Sequence, residues 1–283
     1  MKLTPEEQRE FSQIVAGWDL GSTDDHPQEQ DSAPVVIPGI TMQSLMDAHP
    51  ILLRIWQEAD ACVQQGLGGL LERACQPCEL PSAAQLELDF GLITWLLDHL
   101  DGAQLDRYGL LSSSAWQYLE EVSPGLRLHL GNDDSRMHWR EIGFLINVLV
   151  RLGLLRRHQG QLLRTKRGTQ ALKSPQDMFQ LIAQRLIPTR RTNFTYVASL
   201  MQLLCLASSQ QGYNFEVAAG IATMAGWHTK GHSHVIQRGV TFAKNGPSYL
   251  FWLMGEPRNR YWECEVPSST AVALARAALL MPT

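Results

Sequence analysis

The stretch from Gly153 to Gly168 admits few folds. Two short runs, Leu154–Arg157 and Gln161–Arg164, flank His158-Gln159-Gly160, and so brief a connection containing glycine closes two antiparallel strands into a β-hairpin. Gly153 stops the helix before it, because glycine enters the left-handed region without steric cost. Thr165 stands where a hydroxyl caps a helix that begins Lys166-Arg167-Gly168. A lone hairpin is marginal in water, so this one needs a helical layer beneath it.

The preceding residues supply that layer. Leu86, Leu88, Phe90, Leu92, Ile93, Trp95, Leu96, Leu97 and Leu100 make a strongly apolar helix from about Ala84, closed by Asp101-Gly102. An extended piece is expected at Gln104–Leu111. Ser112–Ser114 offer N-caps for a helix to about Val122, which Pro124-Gly125 end. A third helix runs from about Met137 to Leu152, and Ser174-Pro175 opens another to about residue 187. Helix, short strand, helix, helix, hairpin is the order of a winged helix. The connection from Ser123 to Arg136 is longer than the usual few residues of such a turn.

The same grammar recurs after Arg191. Phe194, Val197, Met201 and Leu204 share a helical face, Phe215–Ala225 and Ser233–Ala243 read as helices, and strands at Tyr249–Met254 and Arg260–Val266 surround a turn at Gly255–Asn259. Ser268 caps a last helix. Before the first unit, Pro5–Trp18 reads as a short helix and residues 21–34, nearly devoid of apolar side chains, as an acidic mobile linker. Thr41 caps a helix at Met42–Ala48, and Pro50 starts another to about Gln65, broken by Gly66, Gly68 and Gly69. The expected fold is therefore mainly α: tandem winged-helix-like units with small β-hairpins behind a short helical N-terminal region. Its divisions are 1–40 (helix and linker), 41–84 (helical segment), 85–188 (winged helix) and 189–283 (second winged-helix-like unit).

Composition narrows the function classes. A chain of 283 residues with 45% hydrophobic and 18% charged positions is neither collagenous nor wholly disordered. Its five cysteines are an odd number in a long chain, which points to reduced thiols. Leu200–Ala207 and Ala271–Met281 fall far short of the roughly 20 apolar residues of a membrane span. With no signal-like N-terminus, the expectation is a cytoplasmic protein that engages no membrane. The net charge of -4 conceals segregation: residues 1–125 hold 5 basic and 20 acidic side chains, 126–200 hold 13 and 4, and 201–283 hold 6 and 4. The middle segment can face a polyanion and the N-terminal part cannot.

Several of these residues carry a family likeness. Ile93-Thr-Trp-Leu-Leu-Asp-His-Leu-Asp-Gly102, the Gly109-Leu-Leu step, Trp139, Leu152-Gly-Leu-Leu-Arg-Arg157, Gly160-Gln-Leu-Leu-Arg-Thr165 and Gly168 resemble the C-terminal helical region of the Ri-plasmid open-reading-frame-three-like proteins. The likeness spans roughly 85–188. It implies a helical, winged-helix module of poorly defined role and assigns no catalytic residues.

The functional reading rests on the third helix and the hairpin. Arg136, Arg140, Asn147 and Arg151 recur on a face distinct from the apolar stripe Ile142, Leu145, Leu149 and Leu152. Arginine reads guanine or phosphate and asparagine reads adenine, which suits a major groove. Arg156, Arg157, Arg164, Lys166 and Arg167 would grip the phosphate backbone. All four of Arg140, Arg151, Arg157 and Arg164 are expected in solvent. The resulting expectation is a non-enzymatic DNA-binding protein of the transcription-regulator kind, homodimeric through surplus aromatics among Tyr249, Phe251, Trp252, Tyr261 and Trp262, with double-stranded DNA as partner and no cofactor. Glu263 and Glu265 make the second hairpin a poor phosphate reader. The alternative is a protein-interaction scaffold of the same units without nucleic acid. Against DNA stand the sequence pI near 6.1 and the long inter-helix connection. Cys75-Gln-Pro-Cys78 lacks a second cysteine pair, His228, His232 and His234 lack a carboxylate, Gly66-Leu-Gly-Gly69 lacks the Lys-Ser/Thr of a phosphate loop, and Ser112–Ser114 serve as caps.

Overall fold

The computed structural model describes residues 36–58, 61–122, 135–188, 194–208, 250, 255–258 and 263–280, and at 62, 63, 120, 135–141, 255–258 and 263–266 the backbone alone. The expected helix Pro5–Trp18, the linker 21–34, the helices Phe215–Ala225 and Ser233–Ala243, the three histidines from His228 to His234 and the aromatics Tyr249, Phe251, Trp252, Tyr261 and Trp262 lie outside these residues. The described chain is mainly helical with small antiparallel strand pairs.

A two-residue ribbon, β1 (Val36–Ile37) with β2 (Cys78–Glu79), brackets three helices: α1 (Met42–Ala48), α2 (Pro50–Glu58) and α3 (Ala61–Ala74). Thr41 caps α1, its hydroxyl accepting from Ser44 N at 3.1 Å. Gly66, Gly68 and Gly69 do not break α3, contrary to expectation. A Cβ at Gly68 would lie 3.2 Å from the Trp56 ring, so this glycine lets α2 and α3 approach closely. Packing overrides propensity there.

Next come α4 (Ala83–His99), α5 (Ser113–Val122), α6 (Ser135–Arg151), the hairpin β3 (Leu155–His158) and β4 (Gln161–Arg164), α7 (Lys166–Ala171) and α8 (Pro175–Leu186). Hydroxyls of Ser82, Ser112 and Ser174 cap α4, α5 and α8. The chain ends in α9 (Phe194–Ser208), a ribbon of β5 (Gly255–Arg258) with β6 (Glu263–Pro267), and α10 (Ser269–Leu280). Here the register differs from expectation: Gly255–Arg258, read as a turn, is a strand, with an irregularity between Gly255 and Pro257. A two-stranded ribbon has a free edge on each strand, and proline is tolerated where its missing N–H faces outward.

Among the described residues one core runs from Leu45 to Leu279. Its centre is α9, in which every residue from Tyr196 to Ser208 is buried. One apolar face was expected; instead the helix is covered all round, with α3 and α10 among its neighbours. In turn α10 packs on α8, and α8 on α4, so α1 to α10 share one apolar interior among the described residues.

Two polar ties lock the early helices to the late ones. His49, fully buried, holds the carbonyl of Leu279 at Nε2 and the hydroxyl of Tyr196 at Nδ1, each at 3.1 Å. A carbonyl only accepts, so Nε2 carries the proton and Tyr196 donates to Nδ1. Arg276 on α10 donates to Ala207 O (3.1 Å), Gln76 O (3.0 Å), Pro77 O (3.0 Å) and Arg73 O (3.2 Å). A single guanidinium thus meets carbonyls in the last turns of α3 and α9, where the helix dipole favours a cation, and two more just beyond α3.

Candidate functional site

The basic segment is assembled by local backbone devices. Leu154 N bonds Leu149 O and Gly153 N bonds Val150 O, both at 3.0 Å, with Gly153 at φ 74°. This paired closure ends α6 and aims the chain into β3. The hairpin pairs Leu155 with Arg164, Arg156 with Leu163, Arg157 with Leu162 and His158 with Gln161. Gln159 (φ 47°) and Gly160 (φ 75°) form its two-residue turn, both in the left-handed region that a tight twisted hairpin demands.

Thr165 stitches the base of the hairpin. Its hydroxyl donates to Gly153 O at 2.6 Å and accepts from Gly168 N at 3.0 Å. A Cβ at Gly168 would fall 2.3 Å from Leu154 O, so only glycine lets α7 approach that carbonyl. Residues 102–105 add a third edge: Gly102 N bonds Leu162 O (2.8 Å), Leu162 N bonds Ala103 O (2.8 Å) and Leu105 N bonds Gly160 O (2.7 Å). The expected extended piece to Leu111 is shorter than anticipated, because a tight loop at 106–110 interrupts it.

Alternation along the strands sorts the basic side chains. Leu155, Arg157, Leu162 and Arg164 share the face toward the core, while Arg156, His158, Gln161 and Leu163 share the outer one. Arg157, exposed, is committed to the protein: it donates from Nε to Gly109 O at 3.2 Å and from a terminal nitrogen to the Asn147 side-chain oxygen. Asn147 and Arg157, expected to read DNA separately, hold each other and tie α6 to the hairpin. Arg164 is half-buried in an ion pair with Asp98 at 2.6 Å, and its backbone N–H bonds Asp101 at 2.8 Å.

Arg151 departs furthest from expectation. Its three guanidinium nitrogens are buried and meet no hydrogen-bond partner among the described residues, and desolvation lowers its pKa to about 10. It is not a solvent-facing arginine, because the last turn of α6 is folded into the interior. Arg136 and Arg140 lie on the backbone of α6 with side chains outside the described residues.

Arg156 and Lys166 are exposed and Arg167 is half-exposed. Burial and then the charge of Arg185 lower the Arg167 pKa, so two cations from α7 and α8 stand close enough to repel. Sequence reasoning missed Arg185, and it missed Arg107 and Tyr108 on the 106–110 loop. The latter pair was signalled by Asp106-Arg-Tyr-Gly109, an acid and a glycine at turn spacing.

Elsewhere the thiols of Cys75 and Cys78 are pushed up by desolvation, which Arg276 only partly offsets, so neither is an activated nucleophile. No helix among the described residues is long and apolar enough to cross a membrane. Comparison with family models, curated proteins and solved structures finds no match to this chain.

Proposed function

We propose that residues 83–186 act as a winged helix that binds double-stranded DNA, as a non-enzymatic regulator would. The observation that carries this reading is the cationic group at the hairpin: Arg156 on its outer face, with Lys166, Arg167 and Arg185 at the α7–α8 end, the last two cations mutually repelling. Like charges held together favour a polyanion that neutralises them. The interlock of Asn147, Arg157 and Gly109 supports the reading by fixing hairpin and α6 as one rigid surface before any ligand arrives. Of the five residues expected to grip phosphate, Arg157 and Arg164 leave the set through their contacts within the chain, and Arg156, Lys166 and Arg167 keep the role.

One observation favours the scaffold alternative. Asn147, Arg157 and Arg164 have partners within the chain and the guanidinium nitrogens of Arg151 are buried, which leaves fewer side chains free for a groove. Gel-shift titration of mixed-sequence duplex distinguishes the two. The DNA reading expects retardation that weakens in Arg156→Ala and Lys166→Ala while Arg164→Ala has a smaller effect on affinity; absence of retardation by the wild-type chain supports the scaffold.

A further inference from the structure

The loop at 106–110, whose Gly109 carbonyl anchors Arg157, is closed by its own hydrogen bonds. The Asp106 carboxylate accepts from the N–H groups of Tyr108 (2.8 Å) and Leu110 (2.9 Å), Asp106 N donates to Leu110 O (2.7 Å), and Gly109 N donates to Asp106 O (3.0 Å). Gly109 takes φ 76° to close it. Two further bonds seat the loop on the hairpin: Leu105 N to Gly160 O, and Arg157 Nε to Gly109 O.

At its tip Tyr108 is 70% exposed. The Arg107 guanidinium lies 4.7 Å from the ring centroid and donates to the Tyr108 hydroxyl at 2.6 Å. An aromatic ring is thus held in water on a rigid support, one face attended by a cation, within reach of the basic hairpin. Its ordering entropy is spent before a ligand binds. Arg107 at the tip and Arg157, bonded to the loop at Gly109 O, make an acidic polymer the complementary partner. Within a duplex, base faces are already stacked; only an unpaired base offers a face to an aromatic side chain.

We infer that this loop is a stacking platform for an unpaired nucleobase beside the duplex held by the hairpin. Tyr108 receives the base, and Arg107 faces the adjoining phosphate. The preferred ligand is therefore DNA at a junction between double and single strand. This inference rests on the DNA-binding reading and narrows it.

Fluorescence anisotropy with a blunt duplex, and with the same duplex carrying a short oligothymidine overhang, tests it. The wild-type chain should bind the overhang form about 5- to 150-fold more tightly, the range one stacked base supplies. Tyr108→Ala should abolish that gain, leave blunt-duplex affinity unchanged and retain the wild-type Tm, whereas Tyr108→Trp should preserve the gain. Equal affinity of the wild-type chain for both ligands overturns the platform, as does an overhang preference that survives Tyr108→Ala or an equal loss on both ligands. Binding to neither ligand by the wild-type chain overturns the DNA reading itself.

Discussion

Arg151 sits in the last turn of α6, where a cation suits the helix dipole, yet its guanidinium nitrogens are buried without a hydrogen-bond partner among the described residues. Placing an unpaired charge in the interior costs more than the dipole returns. Arg151→Met, which keeps the stem and removes the charge, should raise stability by about 1–3 kcal/mol, read as a higher midpoint in urea. The pH dependence has a definite sign. Because the folded pKa, about 10, lies below the ordinary arginine value, the unfolded chain binds more protons above that pH, and the penalty is relieved as pH rises through about 10. The advantage of the methionine variant should accordingly shrink above that pH. Two further residues carry backbone costs. Gln159 occupies φ 47° without being glycine or asparagine, so Gln159→Asn should stabilise the hairpin by roughly 0.5–1 kcal/mol. Gly168→Ala should destabilise by about 1–3 kcal/mol, since its methyl group meets Leu154 O. Thermal melts of the two variants should shift in opposite directions.

Among the elements, those whose determinants lie within a few residues were legible in the sequence. The Gly153 stop, the Gln159-Gly160 turn, and the caps at Thr165, Ser174 and Ser268 act through their immediate neighbours. What escaped is set by distant chain. Arg164 meets Asp98 sixty-six positions away and Arg157 meets Gly109 forty-eight away, so the engagement of those arginines has no local signature. Gly68 sits in α3 where Trp56 of α2 leans on it, and Gly255–Arg258 became strand by pairing with β6. Arg276 belongs to the same class, with four carbonyls from two helix ends converging on one side chain. Arg276→Ala should cost about 2 kcal/mol in chemical denaturation, and Arg276→Lys should recover only part of it, because an ammonium cannot span the same acceptors.

Over the whole molecule, early and late helices close around α9 while the segment between 126 and 200 carries the basic excess. The buried His49 joins α1 to both α9 and α10, so an early and a late part of the chain are held together by polar as well as apolar contact. The cationic hairpin and the α7–α8 end rest on this shared core, and on that arrangement the DNA-binding reading depends. The most direct measurement of it is the affinity for duplex DNA as a function of salt, for the wild-type chain and for Arg156→Ala combined with Lys166→Ala and Arg167→Ala. Log affinity should fall linearly with log salt, and each lost phosphate contact should lower the slope by about 0.9, with circular dichroism unchanged. A wild-type affinity that is independent of salt, or a triple variant with the wild-type slope, would contradict the account.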